Sequence, residues 1–117
     1  MTYTMKIKTA LLFLFIAPSV QAITEEEFRN GYRVFIEETA RSIAESRRHE
    51  AKKEKYLELQ ADCNTYWIYK DRIDYINKYP EVTEGNPKYI RDKIELREIM
   101  LAVKDRLEFE KYNCNLL

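Results

Sequence analysis

The stretch Tyr66-Trp67-Ile68-Tyr69-Lys70-Asp71-Arg72-Ile73-Asp74-Tyr75-Ile76-Asn77-Lys78-Tyr79-Pro80 decides the fold. Its large apolar residues recur every three or four positions, the spacing of a helix face. Tyr66, Tyr69, Ile73 and Ile76 fall on one stripe, while Trp67 and Tyr75 point elsewhere. Proline cannot continue a helix and restricts the residue before it, so this helix stops before Pro80. Such a density of rings predicts the core element of an all-α protein, with tyrosine hydroxyls reaching the surface. The aromatics off the main stripe, with Lys70 and Arg72 beside them, also suit a protein interface, where Tyr, Trp and Arg are enriched. The candidate interface is Tyr66, Trp67, Tyr69, Lys70, Arg72 and Tyr75.

Downstream, the segment 80–87 holds two prolines, Gly85 and Asn86 and reads as a loop. A last helix follows over about 88–112. Its apolar face is Leu96, Met100, Val103, Leu107 and Cys114, flanked by Ile99 and Phe109. Upstream, Asp62-Cys63-Asn64-Thr65 is the expected bend, because these short polar side chains bond the backbone in turns and caps. A first helix begins at Thr24, which with Glu27 makes a capping box, and Glu25–Glu27 suit the positive end of the helix dipole. Its stripe is Phe28, Tyr32, Phe35, Ile36, Ile43 and Ala44, and Gly31 weakens it without ending it. Over 45–55 only Ala51 is apolar. With no breaker present, a continuous solvated helix is favoured there over a hinge. The expected architecture is one domain, 23–117, with helices at about 25–61, 65–79 and 88–112. They form a small antiparallel bundle or a long helical hairpin.

Composition agrees. The 117 residues include two glycines and three prolines, and 34% are charged. A sheet protein needs turn residues every 8–12 positions or so.

The first 22 residues have the three parts of a cleavable signal peptide. Lys6 and Lys8 are the positive region, 10–17 are the apolar core, and Pro18 to Ala22 supply the break and the small residues of a cleavage site. A membrane span needs roughly 20 apolar residues, more than this run has. Cleavage after Ala22 leaves about 95 residues with a net charge of about −2, since Lys6 and Lys8 leave a balance of 20 cations and 20 anions. That surface argues against nucleic acid, which needs clustered positive charge.

Export also bears on Cys63 and Cys114, the chain's two cysteines. An oxidising compartment favours their pairing. A tight antiparallel hairpin around the 80–87 loop would leave them misaligned by roughly 15 Å. Either the loop extends and shifts the last helix, or the cysteines pair between chains. The bridge within one chain is preferred.

Catalytic chemistry is hard to find. The single histidine, His49, lies among Arg and Lys without a second ligand at metal spacing. Ser42 and Ser46 occupy no nucleophile turn. There is no glycine-rich phosphate loop. Paired carboxylates such as Glu108 and Glu110 are ordinary on charged helices. No catalytic residue, metal site, cofactor or small-molecule substrate is predicted. The expected function is that of a small exported protein, periplasmic in a bacterium or otherwise secreted, which binds and modulates or neutralises another protein. Inhibitors, immunity proteins and lysis regulators share this build. The alternative is a membrane-anchored rod with an uncleaved apolar run and cysteines linking two chains. Its general plan resembles the inner-membrane subunit of a phage spanin.

Overall fold

A computed structural model describes residues 22–114. The signal-peptide reading of 1–22, with its cleavage site after Ala22, lies outside the described residues except for Ala22 itself. Among the described residues the chain is all helical: α1 (Glu25–Ala51), α2 (Lys55–Lys78), α3 (Pro80–Thr83) and α4 (Pro87–Phe109). No helix among them is long and apolar enough to cross a membrane.

Local chemistry sets the helix starts. Thr24 Oγ1 accepts from the Glu27 N–H at 3.0 Å, and Glu27 Oε1 accepts from the Thr24 N–H at 3.0 Å. This capping box satisfies two otherwise unpaired donors. At α4, Asn86 caps the Lys88 N–H at 3.0 Å and Pro87 takes the first turn, where a missing N–H costs nothing.

Two expectations about α1 and α2 fail, for complementary reasons. The charged stretch 45–55 is not one helix: α1 ends at Ala51 and the chain reverses through Lys52–Glu54. Lys53 adopts the left-handed conformation, φ 59°. A lysine tolerates it here because the Lys53 and Glu54 N–H groups bond the Glu50 and His49 carbonyls. Conversely, the bend expected at 62–65 is absent, and α2 runs straight through it. Asp62 and Thr65 spend their polar atoms on other helices and on the Ala61 carbonyl instead. The 80–87 loop contains a single helical turn, α3, with the Thr83 hydroxyl donating to the Ile76 and Tyr79 carbonyls.

The result is an antiparallel three-helix bundle in which α2 packs against both neighbours. Its larger core gathers Phe28 and Tyr32 of α1, Tyr69, Ile73 and Ile76 of α2, and Tyr89 and Leu96 of α4. Phe28 is fully buried, its ring 4.8 Å from Tyr75 and 5.1 Å from Tyr89. A smaller core at the other end holds Leu59, Cys63 and Leu107.

Cys63 and Cys114 are bridged within the chain, with Cα atoms 6.0 Å apart. The predicted misalignment is real. Lys55 faces Glu110 and Asp62 faces Arg106, so a straight α4 would carry residue 114 roughly 15 Å beyond Cys63. Neither a shifted α4 nor a second chain resolves it. Instead α4 ends at Phe109, short of the expected 112, and Lys111 turns left-handed (φ 58°). The Tyr112 N–H bonds the Leu107 carbonyl at 2.9 Å, and the tail doubles back to Cys63. Closing a loop of 51 residues contributes about 4 kcal/mol by the chain-entropy estimate.

Candidate functional site

Successive residues on α2 are rotated by about 100°, so the six predicted interface residues cannot share a face. Three of them are structural, which corrects the expectation. Tyr69 is buried in the core. Tyr75 stacks on Phe28 and donates its hydroxyl to the Phe28 carbonyl at 3.1 Å. The Arg72 guanidinium lies 4.8 Å over the Tyr32 ring and 3.9 Å from Asp92, largely shielded from solvent. Tyr32 in turn donates to Asp92 at 2.8 Å. Burial, opposed by Arg72, pushes the Tyr32 phenol up to about 12, so it stays a donor.

The other three face outward. Trp67 is 37% exposed and meets half-buried Tyr66 edge to face at 5.7 Å. Lys70 is exposed and paired with Asp74 at 3.2 Å. Each flank of the Tyr66–Trp67 ridge is concave. On the α1 side, Trp67, Ile68 and Asp71 face Glu38, Arg41 and Glu45 across an open groove of about 480 Å³. On the α4 side, Tyr66 borders a depression of about 190 Å³ with Arg97, Met100 and Leu101.

Leu101 carries this surface onto α4, where Arg97 separates it from further exposed apolar residues. Ile94 and Ile90 lie seven and eleven residues before it on the same flank, and the three are 46–61% exposed. Sequence reasoning missed them. The signal was present: α4 has a second apolar stripe beside the Leu96-Val103-Leu107 face, and a helix with two stripes has one to spare.

Between α1 and α4 runs a third groove, of about 290 Å³, with a polar floor. Arg106 donates to Asp62 at 2.6 Å and to Glu58, which is 6% exposed. Ser46 donates to Asp62 at 2.7 Å, and the Ser42 and Thr65 hydroxyls lie 2.6 Å apart. This network ties all three long helices together. It also commits both serines: Ser46 bonds an aspartate, and His49 lies elsewhere. The His49 ring is clamped at the α1–α2 reversal, Nδ1 2.7 Å from Glu54 and Nε2 3.0 Å from Glu45. Facing two carboxylates, both nitrogens are satisfied together only in the imidazolium. Glu54 foremost, with Glu45, raises the His49 pKa against the desolvation that opposes it. Arg48 and His49 lower that of Glu45. Among the described residues, no group of three or more His, Cys, Asp or Glu side chains is placed to hold a metal ion.

No family model, curated protein or solved structure matches this chain.

Proposed function

We propose that this is a small exported, non-catalytic protein that binds another protein and modulates or neutralises it, as an inhibitor, immunity protein or lysis regulator does. The binding surface is the belt Trp67–Tyr66–Leu101–Ile94–Ile90. One observation carries the reading: large apolar side chains stand exposed on the outer surfaces of two adjacent helices, α2 and α4. Exposed apolar residues grouped on neighbouring helices mark interaction sites more often than singly scattered ones do. Aromatic residues at its centre, flanked by concave surfaces and rimmed by Glu38, Asp71 and Arg97, match the composition of binding hot spots. Export rests on the sequence pattern of residues 1–22.

The test is affinity capture from bacterial periplasmic extract with the mature chain, alongside Trp67→Ser and Leu101→Ser variants. A captured protein that is retained by the parent and lost by both variants supports the reading. Retention by both variants, or no specific capture, overturns it. Unreduced intact mass tests export: the product should begin at Ile23 as a monomer.

A further inference from the structure

The geometry points to a second interaction surface, at the end of the bundle where α1 reverses into α2 and where α4 ends: a basic, aromatic tip that docks on an anionic lipid membrane. The Lys55–Glu110 ion pair, 3.1 Å, and the Tyr56–Tyr112 edge contact, 5.2 Å, hold the two turns side by side. Phe109 is 83% exposed, the most exposed large apolar residue among those described, and Tyr56 follows at 67%. Both turns pass through a left-handed lysine, Lys53 and Lys111.

The charges sort by sign. The acids near the tip are engaged: Glu110 with Lys55, Glu54 with His49 at 2.7 Å, and Glu108 with Lys104 at 3.9 Å. Glu50 is the exception: it faces the groove between α1 and α4 and has no cation of the described residues within 4.0 Å, since Arg106 there is bonded to Glu58 and Asp62. Lys52, Lys53 and Lys111 likewise have no carboxylate of the described residues within 4.0 Å. The tip therefore presents three unpaired ammonium groups against one unpaired carboxylate, around exposed rings. Rings at the headgroup level and lysines reaching phosphate form the two-part signal of reversible membrane binding. Each lysine is worth roughly five-fold in partition onto an anionic surface. The tip lies roughly 16 Å along α2 from Trp67, so docking there leaves the belt free for a protein partner.

Vesicle sedimentation with the mature, disulfide-bonded chain tests this. The protein should sediment with vesicles of equimolar phosphatidylcholine and phosphatidylglycerol, not with phosphatidylcholine alone, and high salt should release it. Phe109→Ser should reduce binding several-fold. Lys53→Asn with Lys111→Asn should reduce it roughly 25-fold, and asparagine tolerates the left-handed backbone, so the fold survives. Lys70→Asn and Leu101→Ser should leave it unchanged. Trp67, the chain's single tryptophan, should show no blue shift of emission on binding. Absence of sedimentation, equal binding to neutral vesicles, full binding by the tip variants, or a Trp67 blue shift would each overturn the proposal. None of these outcomes bears on capture of a protein by the belt.

Discussion

Replacing Gly31 by alanine is the sharpest probe of the α1–α2 contact. In an exposed helix interior the change gains about 1 kcal/mol. Here a Cβ would sit 2.2 Å from the Tyr75 hydroxyl oxygen and 2.9 Å from its ring carbon Cζ. The ring cannot swing aside. It packs 4.8 Å from Phe28, 5.3 Å from Phe35 and 5.2 Å from Tyr79, and its hydroxyl is bonded to the Phe28 carbonyl. Relief requires parting the helices or breaking that hydrogen bond. Overpacking costs about 1–3 kcal/mol, and the lost bond about 1 kcal/mol. Set against the helical gain, Gly31→Ala should destabilise by about 1–3 kcal/mol, and each kcal/mol lowers the Tm of a domain this size by roughly 4–8 °C. Urea and thermal unfolding followed by circular dichroism measure it. Tyr75→Phe removes the clashing oxygen, so the double variant should lose at least about 1 kcal/mol less than the sum of the singles. An alanine variant that melts at or above the parent, or strict additivity, refutes the reasoning.

The His49 clamp makes stability depend on pH. Because the folded His49 pKa is raised, its contribution is complete below the ordinary value of 6.5 and fades as pH rises through the folded value. Because that of Glu45 is lowered, its contribution is present above 4.5 and fades as pH falls through the folded value. The clamp's own contribution should therefore be greatest between these ordinary values, and His49→Gln should flatten the alkaline limb of the melting-temperature profile; an unchanged limb rejects the clamp. Arg106→Met strands the carboxylate of Glu58, whose side chain is 8% exposed. The expected loss is about 2–3 kcal/mol in urea unfolding, below the fully buried range because Arg106 is itself 41% exposed, and adding Glu58→Met should recover most of it. The Ile23 nitrogen lies 3.4 Å from Glu81 Oε2, so cleavage after Ala22 would place an ammonium against that carboxylate. N-terminal acetylation of the mature chain should then cost up to about 1 kcal/mol, and nothing further in a Glu81→Gln background.

What was legible in the sequence was whatever local chemistry determines. Thr24 with Glu27, Pro80, and Asn86-Pro87 mark helix ends that any tertiary context would respect. The disulfide followed from counting. The Lys52–Glu54 reversal was hidden because no residue there favours it. Lys53 is driven left-handed by the demand that α2 lay its apolar side on α1. Asp62 and Thr65 misled in the opposite sense, since their side chains resemble turn formers but serve Arg106, Ser46 and Ser42. In the candidate site the ring types were visible and their directions were not. Tyr75 lies one helix turn from Asp71, yet only Asp71 faces the Trp67 groove.

That division of the aromatics follows from the helix count. α2 carries apolar residues on nearly every side: Ile73 and Ile76 inward, Tyr66 toward α4, Tyr75 and Ile68 toward α1, and Trp67 outward. A helix of this kind is normally covered all round. Here it has two long neighbours, and α1 and α4 both lie toward the side of Tyr69 and Ile76. Three helices cannot enclose the middle one, so part of α2 remains uncovered whatever the loops do. Trp67 stands at the edge of that strip, 37% exposed, so its indole is partly covered by the fold and partly open to solvent. Lys70, Asp71 and Asp74 show that polar residues are accommodated on this helix. The open part of the indole lines the groove toward α1, and its neighbour Tyr66 borders the depression toward α4, so the proposed partner would meet both rings at this ridge.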